Sequence, residues 1–169
     1  PAFFEDDVHQ AIDERQPGGK WLAHYHDLFI IARGMNLPIA LEGALKFKEI
    51  PYLHAEGCAA GELKHGPFAL LGPETPVIAL VAPDEHHLRM LTAMREIKAR
   101  GSPIIAIAPR KDEEMKDFCD TFIPVPPADP LLLPMLNVVV LQLLSYYCAK
   151  ERGCSIDRPR NLAKSVTVP

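Results

Sequence analysis

Four short apolar runs, each followed by a segment of helical periodicity, most constrain what this chain can fold into. They span residues 27–32, 75–82, 103–108 and 121–125. A short apolar run without polar alternation is typical of a parallel strand that is buried on both faces. Strands that alternate with helices form such sheets through right-handed crossovers. The sequence therefore predicts an α/β fold, a three-layer, doubly wound, flavodoxin-like sandwich of four or five parallel strands with helices on both faces.

The segments between these runs carry the pattern of amphipathic helices. Helices are predicted over residues 3–16, 37–49, 84–100, 112–119 and 131–150. Asn36 is expected to cap the second helix, and Asp84 the third. Pro51 and Gly101 are expected to end them. Residues 62–67 are interpreted only as a short further segment that carries titratable groups.

Composition and charge exclude several classes of protein. The 169 residues are 48% apolar and 24% charged, which is ordinary for one soluble globular domain. A net charge of −4 favours neither nucleic acid nor an anionic membrane as a partner. The four cysteines lack metal-ligand spacing, so free thiols in a reducing cytoplasm and no metal site are expected.

The uncharged stretch 131–149 is long enough to span a membrane. Pro134, Asn137, Gln142 and Ser145 interrupt it, however, and nothing similar lies nearby. A helix buried in the core or at a subunit interface is the favoured interpretation.

Charged residues recur on one face of the predicted helix 37–49. Glu42, Lys46 and Glu49 stand four and three residues apart, so they share that face. Glu49 falls in the last turn, where the helix dipole disfavours a carboxylate by ~0.3–1 kcal/mol. Such a carboxylate suits a base that transfers protons. An exposed ion pair between Glu42 and Lys46 is the structural alternative.

Two long motifs carry a resemblance to a known family. Residues 40–67 read ALEGALKFKEIPYLHAEGCAAGELKHGP, and residues 157–169 read DRPRNLAKSVTVP. Both resemble the second sugar-isomerase (SIS) domain of the glutamine–fructose-6-phosphate aminotransferases, in the same order along the chain. The resemblance implies one SIS domain over residues 1–169, with an N-terminal helix in 1–20 and an active-site tail in 154–169. The family usually ends in glutamate, where this chain has Pro169.

The resemblance also implies roles for five residues. Glu49 matches the carboxylate that moves a proton between C1 and C2 of the sugar, and Lys46 matches a lysine that assists it. His65 matches a histidine that opens the sugar ring across a dimer interface. Lys164 matches the lysine that forms a Schiff base with the ketose, and Ala163 matches a backbone contact to the sugar.

The implied reaction converts fructose 6-phosphate and glutamine to glucosamine 6-phosphate and glutamate without a metal or an organic cofactor. Sites in such sheets are expected beyond the carboxyl ends of the strands. The turn 32–36, however, has no cluster of Ser and Thr for a phosphate. The resemblance implies three kinds of partner: a sugar phosphate, a second copy of the chain, and the first SIS and glutaminase domains of the family. Without those two domains the chain is expected to be inactive. The alternatives are a non-catalytic SIS module that senses sugar phosphates or mediates dimerisation, and a fructosamine-phosphate deglycase.

Overall fold

The computed structural model describes residues 21–110 and 113–162. Their five parallel strands form one sheet in the order β2-β1-β3-β4-β5. The strands are β1 (Asp27–Ala32), β2 (His54–Ala59), β3 (Val77–Leu80), β4 (Ile104–Pro109) and β5 (Thr121–Val125). The α-helices are α1 (Leu37–Glu49), α2 (His87–Lys98) and α3 (Leu133–Glu151). Short 3-10 helices span Gly34–Asn36, Glu62–His65, Pro67–Leu70 and Glu113–Asp117.

Two apolar cores lie on opposite faces of the sheet. Successive side chains of a strand point to opposite faces, so Ile30 enters one core and Ile31 the other. Helices α1 and α3 cover the first face, and α2 covers the second. The predicted three-layer, doubly wound fold is confirmed, with five strands. The predicted bounds of β1, α1 and β5 also agree residue for residue with the structure.

Strand β2 was not predicted from the sequence. It lies at the edge of the sheet and pairs with β1 from Asp27↔His54 to Ala32↔Ala59. Of its six residues, HAEGCA, only Ala55 is fully buried. An edge strand with so little buried surface has no apolar run, and so the pattern that revealed the other four strands is absent.

The predicted cap of α1 and the predicted helices 84–100 and 112–119 need correction. Asn36 does not cap α1 with its side chain; its Oδ1 instead accepts a hydrogen bond of 2.8 Å from Asn137 Nδ2 of α3. Helix α2 begins at His87 and not at Asp84. The Oδ1 atom of Asp84 accepts a hydrogen bond of 2.8 Å from the backbone amide of His86, ahead of the helix. The predicted helix 112–119 is a 3-10 helix, and the predicted helix 3–16 lies outside the described residues.

Among the described residues, α3 alone is long and apolar enough to cross a membrane, and half of its most apolar stretch is buried. Leu141 and Leu144 belong to the core that α1 shares. The helix therefore agrees with the prediction of a buried core helix. Its outer side nevertheless exposes apolar side chains, at Leu132, Met135, Val139 and Tyr146.

Two glycines let α1 pack closely against its neighbours. A Cβ atom at Gly57 of β2 would lie 2.6 Å from the carbonyl oxygen of Ala40. A Cβ atom at Gly43 of α1 would lie 2.5 Å from Leu141 Cδ1 of α3. Helix α1 is thus held against β2 on one side and α3 on the other.

We expect Gly57→Ala to lower the free energy of unfolding by about 1–3 kcal/mol, because the new methyl group would meet backbone atoms that cannot rotate away. Gly72→Ala is the matched control, since a Cβ atom there has no neighbour within 4 Å. The control should be neutral or stabilised by up to about 1 kcal/mol, because alanine restricts the unfolded chain. Urea denaturation measures both variants, and equal midpoints would contradict the close approach.

Candidate active site

The charged face of α1 is a three-residue cluster. Lys46 Nζ donates a hydrogen bond of 2.7 Å to Glu49 Oε2 and lies 3.5 Å from Glu42 Oε1. The hydrogen bond to Glu49 raises the pKa of Lys46; partial burial opposes this effect, and the charge of Glu42 adds to it. Lys46 is therefore a fixed cation at neutral pH.

This geometry changes the expectation for Glu49. The sequence predicted a carboxylate that is disfavoured by the helix dipole, but the ammonium at 2.7 Å offsets the dipole. Lys46 is bound more closely to Glu49 than to Glu42, so the proposed Glu42–Lys46 pair is the weaker contact. The hydroxyl of Ser145 in α3 donates a hydrogen bond of 3.0 Å to the carbonyl oxygen of Lys46, and this bond anchors the last turn of α1. Glu49 is thus a carboxylate that is held in a defined position by Lys46 and the end of α1.

Glu49 lines an open cleft of about 460 Å³. One wall is the end of α1 and the segment that leads to β2, and the other is the chain after α3. The lining residues are Leu45, Lys48, Glu49, Tyr52, Leu53, His54, Arg160, Asn161 and Leu162. Residues far apart in sequence therefore meet beside the carboxylate that the sequence singled out.

The second wall is held by contacts to Tyr52. The amide of Arg160 donates a hydrogen bond of 2.8 Å to the Tyr52 hydroxyl. The guanidinium of Arg160 lies 4.2 Å from the centroid of the Tyr52 ring. Ala163 and Lys164, the two site residues that the sequence placed in the tail, lie outside the described residues.

His65 is not brought near Glu49 within one chain. It lies in the 3-10 helix after β2, where its Nδ1 is 2.8 Å from Glu62 Oε2 and its side chain is 71% exposed. His54, which lines the Glu49 cleft, begins β2. The six residues of β2 extend about 20 Å, so Glu49 and His65 lie at opposite ends of the strands.

The Glu49 cleft lies at the end of the sheet where the parallel strands begin. Helix α1 runs antiparallel to β1, so its last residue returns to the side where β1 and β2 begin. This cleft therefore lies away from the carboxyl ends of the strands, where the sequence led us to expect a site. At the carboxyl ends, Arg33 lies against Gly61, where an added Cβ would be 2.9 Å from Nη2.

The sequence did not place Tyr52, His54 or Arg160 in the site. Each belongs to one of the two long motifs, so their membership of those motifs was the available signal. His54 Nδ1 is also 2.7 Å from Asp27 Oδ1, a contact between the first residues of β2 and β1. Such contacts join segments that are distant in sequence, and spacing alone does not reveal them.

Three of the four cysteines are poor nucleophiles. Burial raises the pKa of Cys58, Cys119 and Cys148 to about 11 in each case. These thiols are therefore protonated at neutral pH. Within residues 21–110 and 113–162 no group of three His, Cys, Asp or Glu side chains could hold a metal ion.

Comparisons with known proteins agree with this architecture. The SIS domain family model matches residues 22–151. A glutamine–fructose-6-phosphate aminotransferase of Methanosarcina acetivorans is 54% identical over 159 residues, which are 94% of this chain and 25% of that protein. The corresponding enzyme of Gloeobacter violaceus is 52% identical over 84% of this chain and 23% of its own length. The chain thus spans about a quarter of these relatives.

Solved structures give the same picture. The C-terminal domain of glucosamine-fructose-6-phosphate aminotransferase from Francisella tularensis superposes with a TM-score of 0.80 at 31% identity, over 93% of this chain and 45% of that one. A Thermotoga maritima structure described as glucosamine-6-phosphate deaminase gives a TM-score of 0.74 at 25% identity, over 97% of this chain and 46% of that one.

We expect a double-mutant cycle of Lys46→Met and Glu49→Gln to give a coupling of about 0.2–1 kcal/mol at about pH 8. Because folding raises the pKa of Lys46, its stabilising effect is present below the unfolded value of 10.5 and is lost as the pH rises through the folded value. Urea denaturation at about pH 8 and about pH 12 measures this loss. A cycle of Lys48 and Glu49 is the control, with coupling near zero. A Lys46–Glu49 coupling that stayed constant at high pH would contradict the charge pairing.

Proposed function

This chain belongs to the SIS domain family, and we propose that it is the C-terminal SIS domain of a glutamine–fructose-6-phosphate aminotransferase. Such an enzyme makes glucosamine 6-phosphate and glutamate from fructose 6-phosphate and glutamine. The observation that carries the proposal is the cleft in which segment 160–162 faces Glu49. The tail is the part of the sequence that contains Lys164, and Glu49 is the carboxylate that the reaction needs.

Lys164 is proposed to bind the sugar covalently. Its neutral amine adds to the C2 carbonyl of the open-chain ketose, and water leaves to give an imine. Ammonia released from glutamine then replaces the lysine nitrogen. Because a free lysine is almost wholly protonated at pH 7, its pKa must be lowered by desolvation or a nearby positive charge. Leu45, Leu53 and Leu162 line the cleft and supply apolar surface for this desolvation.

Glu49 is proposed to carry out the isomerisation. A proton leaves C1 and a proton is added at C2, so the ketose imine becomes a 2-amino aldose without any external oxidant or reductant. One carboxylate can serve both steps if it stays beside the C1–C2 bond. The hydrogen bond from Lys46 and the anchored last turn of α1 support such fixed placement.

His65 is proposed to act on the sugar bound by a second copy of the chain. Within one chain His65 and Glu49 lie at opposite ends of the strands, so a substrate that contacts both residues requires two subunits. The exposed apolar side of α3, with Leu132, Met135, Val139 and Tyr146, supports such a dimer, since large exposed apolar surfaces mark interfaces. The first SIS domain and a glutaminase domain are the further proposed partners, with the cytoplasm as the compartment.

We expect Glu49→Gln in the full-length enzyme to lower sugar isomerisation by about 10²–10⁴-fold, because the amide keeps the shape of the side chain and cannot take up a proton. Glu42→Gln is the matched control, since Glu42 lies on the same face of α1 but does not line the cleft. The decrease in the isomerisation rate of Glu42→Gln should be much smaller. The rate of glucosamine 6-phosphate formation is the measurement, with glutamine hydrolysis followed in parallel.

Normal isomerisation by Glu49→Gln would refute the role of Glu49 and favour the non-catalytic SIS module. Equal losses in both variants would show that the charge of the α1 face matters rather than a base at Glu49. The 169-residue chain by itself is expected to make no product.

We expect the chain to be dimeric at tens of micromolar and Met135→Asp to shift it to monomer, because a carboxylate on the exposed side of α3 would be buried in the interface. Met135 is 64% exposed in the single chain. Leu88→Asp is the matched control, since Leu88 is 74% exposed but lies on α2, across the sheet. Light scattering gives the mass. A monomeric wild-type chain, or a dimeric Met135→Asp variant, would contradict an interface on α3.

A further inference from the structure

Tyr52 has a backbone conformation that its side chain does not favour. Its φ angle is 57°, in the left-handed region that only glycine, asparagine and aspartate visit readily. Among the described non-glycine residues, only Tyr52 and Asn161 have a positive φ. For Asn161 the residue type explains the conformation. For Tyr52 it does not. A backbone hydrogen bond of 3.0 Å from Leu53 to Phe47 closes the end of α1 around this residue, and the tyrosine side chain makes further contacts.

The contacts of Tyr52 are made to the chain after α3. Its hydroxyl accepts the 2.8 Å hydrogen bond from the backbone amide of Arg160. The Arg160 guanidinium lies 4.2 Å from the ring centroid, within the range of a cation–π interaction. The hydrogen bond requires the tyrosine hydroxyl and fixes the backbone of residue 160. The ring contact requires the cation of the Arg160 side chain.

Rigid residues surround this contact. Pro51 precedes Tyr52 and is buried, and Pro159 precedes Arg160. A proline restricts its own φ and the residue before it, so both partners follow stiff segments. Asn161, in the left-handed region, then turns the chain directly after Arg160. The contact therefore fixes the position and the direction of the chain at residues 160 and 161.

The contact lies beside the candidate catalytic carboxylate. Tyr52 follows Glu49 by three residues, and both line the same cleft with Arg160, Asn161 and Leu162. Lys164 follows Arg160 by four residues, which span at most about 14 Å of extended chain. Fixing residue 160 against the end of α1 therefore limits how far Lys164 can lie from the Glu49 cleft.

We propose that Tyr52 and Arg160 form a latch that positions the C-terminal tail, so that its lysine is presented to the sugar bound beside Glu49. Neither residue touches the reacting atoms, so both are positioning residues. The inference rests on the proposed function for its catalytic consequence. The latch itself is a contact within this chain and can be tested without any substrate.

Hydrogen exchange in the 169-residue chain tests the contact directly. Tyr52→Phe removes the hydroxyl, and exchange of the Arg160 amide should become about threefold to tenfold faster. Tyr25→Phe is the control, since this tyrosine precedes β1 and does not line the cleft, and its variant should leave that amide unchanged. An unchanged Arg160 amide in Tyr52→Phe would overturn the latch.

Tyr52→Asn separates a positioning role from a structural one. Asparagine adopts the left-handed conformation more readily than tyrosine, so the Tm of the chain should hold or rise while the Arg160 amide exchanges faster. If Tyr52 merely stabilised the fold, the same variant would lower Tm. A lower Tm with slow Arg160 exchange would therefore overturn the proposal.

In the full-length enzyme, borohydride reduction with fructose 6-phosphate and peptide mass mapping measure the adduct on Lys164. Tyr52→Phe and Arg160→Gln should each lower adduct yield and kcat/KM by about threefold to tenfold. Arg160→Lys, which keeps a cation over the ring, should partly restore both. Arg158→Gln, an exposed arginine two residues away, should match wild type.

The outcomes distinguish the two proposals. Without an adduct on Lys164 in the wild-type enzyme, the proposed function fails, while the exchange of the Arg160 amide still decides the latch. A wild-type adduct that persists undiminished in Tyr52→Phe and Arg160→Gln would overturn the latch and leave the proposed function standing.

Discussion

The close packing of α1 between β2 and α3 is the constraint on which the rest of the structure depends. Gly57 lets the backbone of α1 approach β2, and Gly43 lets Leu141 of α3 press against α1. Buried polar contacts at both ends of α1, from Asn137 to Asn36 and from Ser145 to Lys46, fix the helix along its axis. Because Glu49 is the last residue of this helix, the placement of the carboxylate follows from packing some distance away.

Two opposing electrostatic effects act on the carboxylate of Glu49 at the end of α1. A carboxylate at the last turn of a helix faces the negative end of the dipole, and Lys46 supplies the opposite charge at 2.7 Å. The result is a carboxylate with a defined orientation. In the proposed mechanism the apolar leucines of the cleft would act on a different group, the tail lysine, because they would disfavour its charged form.

Periodicity predicted the parts of the fold whose burial is regular, and it failed where burial is partial. The inner strands and α1 follow from their apolar patterns, because each is covered on two faces or along one stripe. Strand β2 was missed because only Ala55 of it is fully buried. The same limit applies to the site. Spacing along α1 identified Glu49 and Lys46, but Tyr52 and Arg160 meet through tertiary structure, and no local pattern records a contact between residues 108 apart. The position of the cleft at the end where the strands begin likewise follows from the direction of α1.

The separation of Glu49 and His65 by the length of β2 has a genetic consequence. If each site combines Glu49 of one subunit with His65 of the other, a subunit defective at Glu49 and a subunit defective at His65 complement each other. In the mixed dimer both defects fall in one site, and the second site receives an intact copy of each residue. Two inactive alleles of such an enzyme would then restore growth when expressed together, although neither supports it alone.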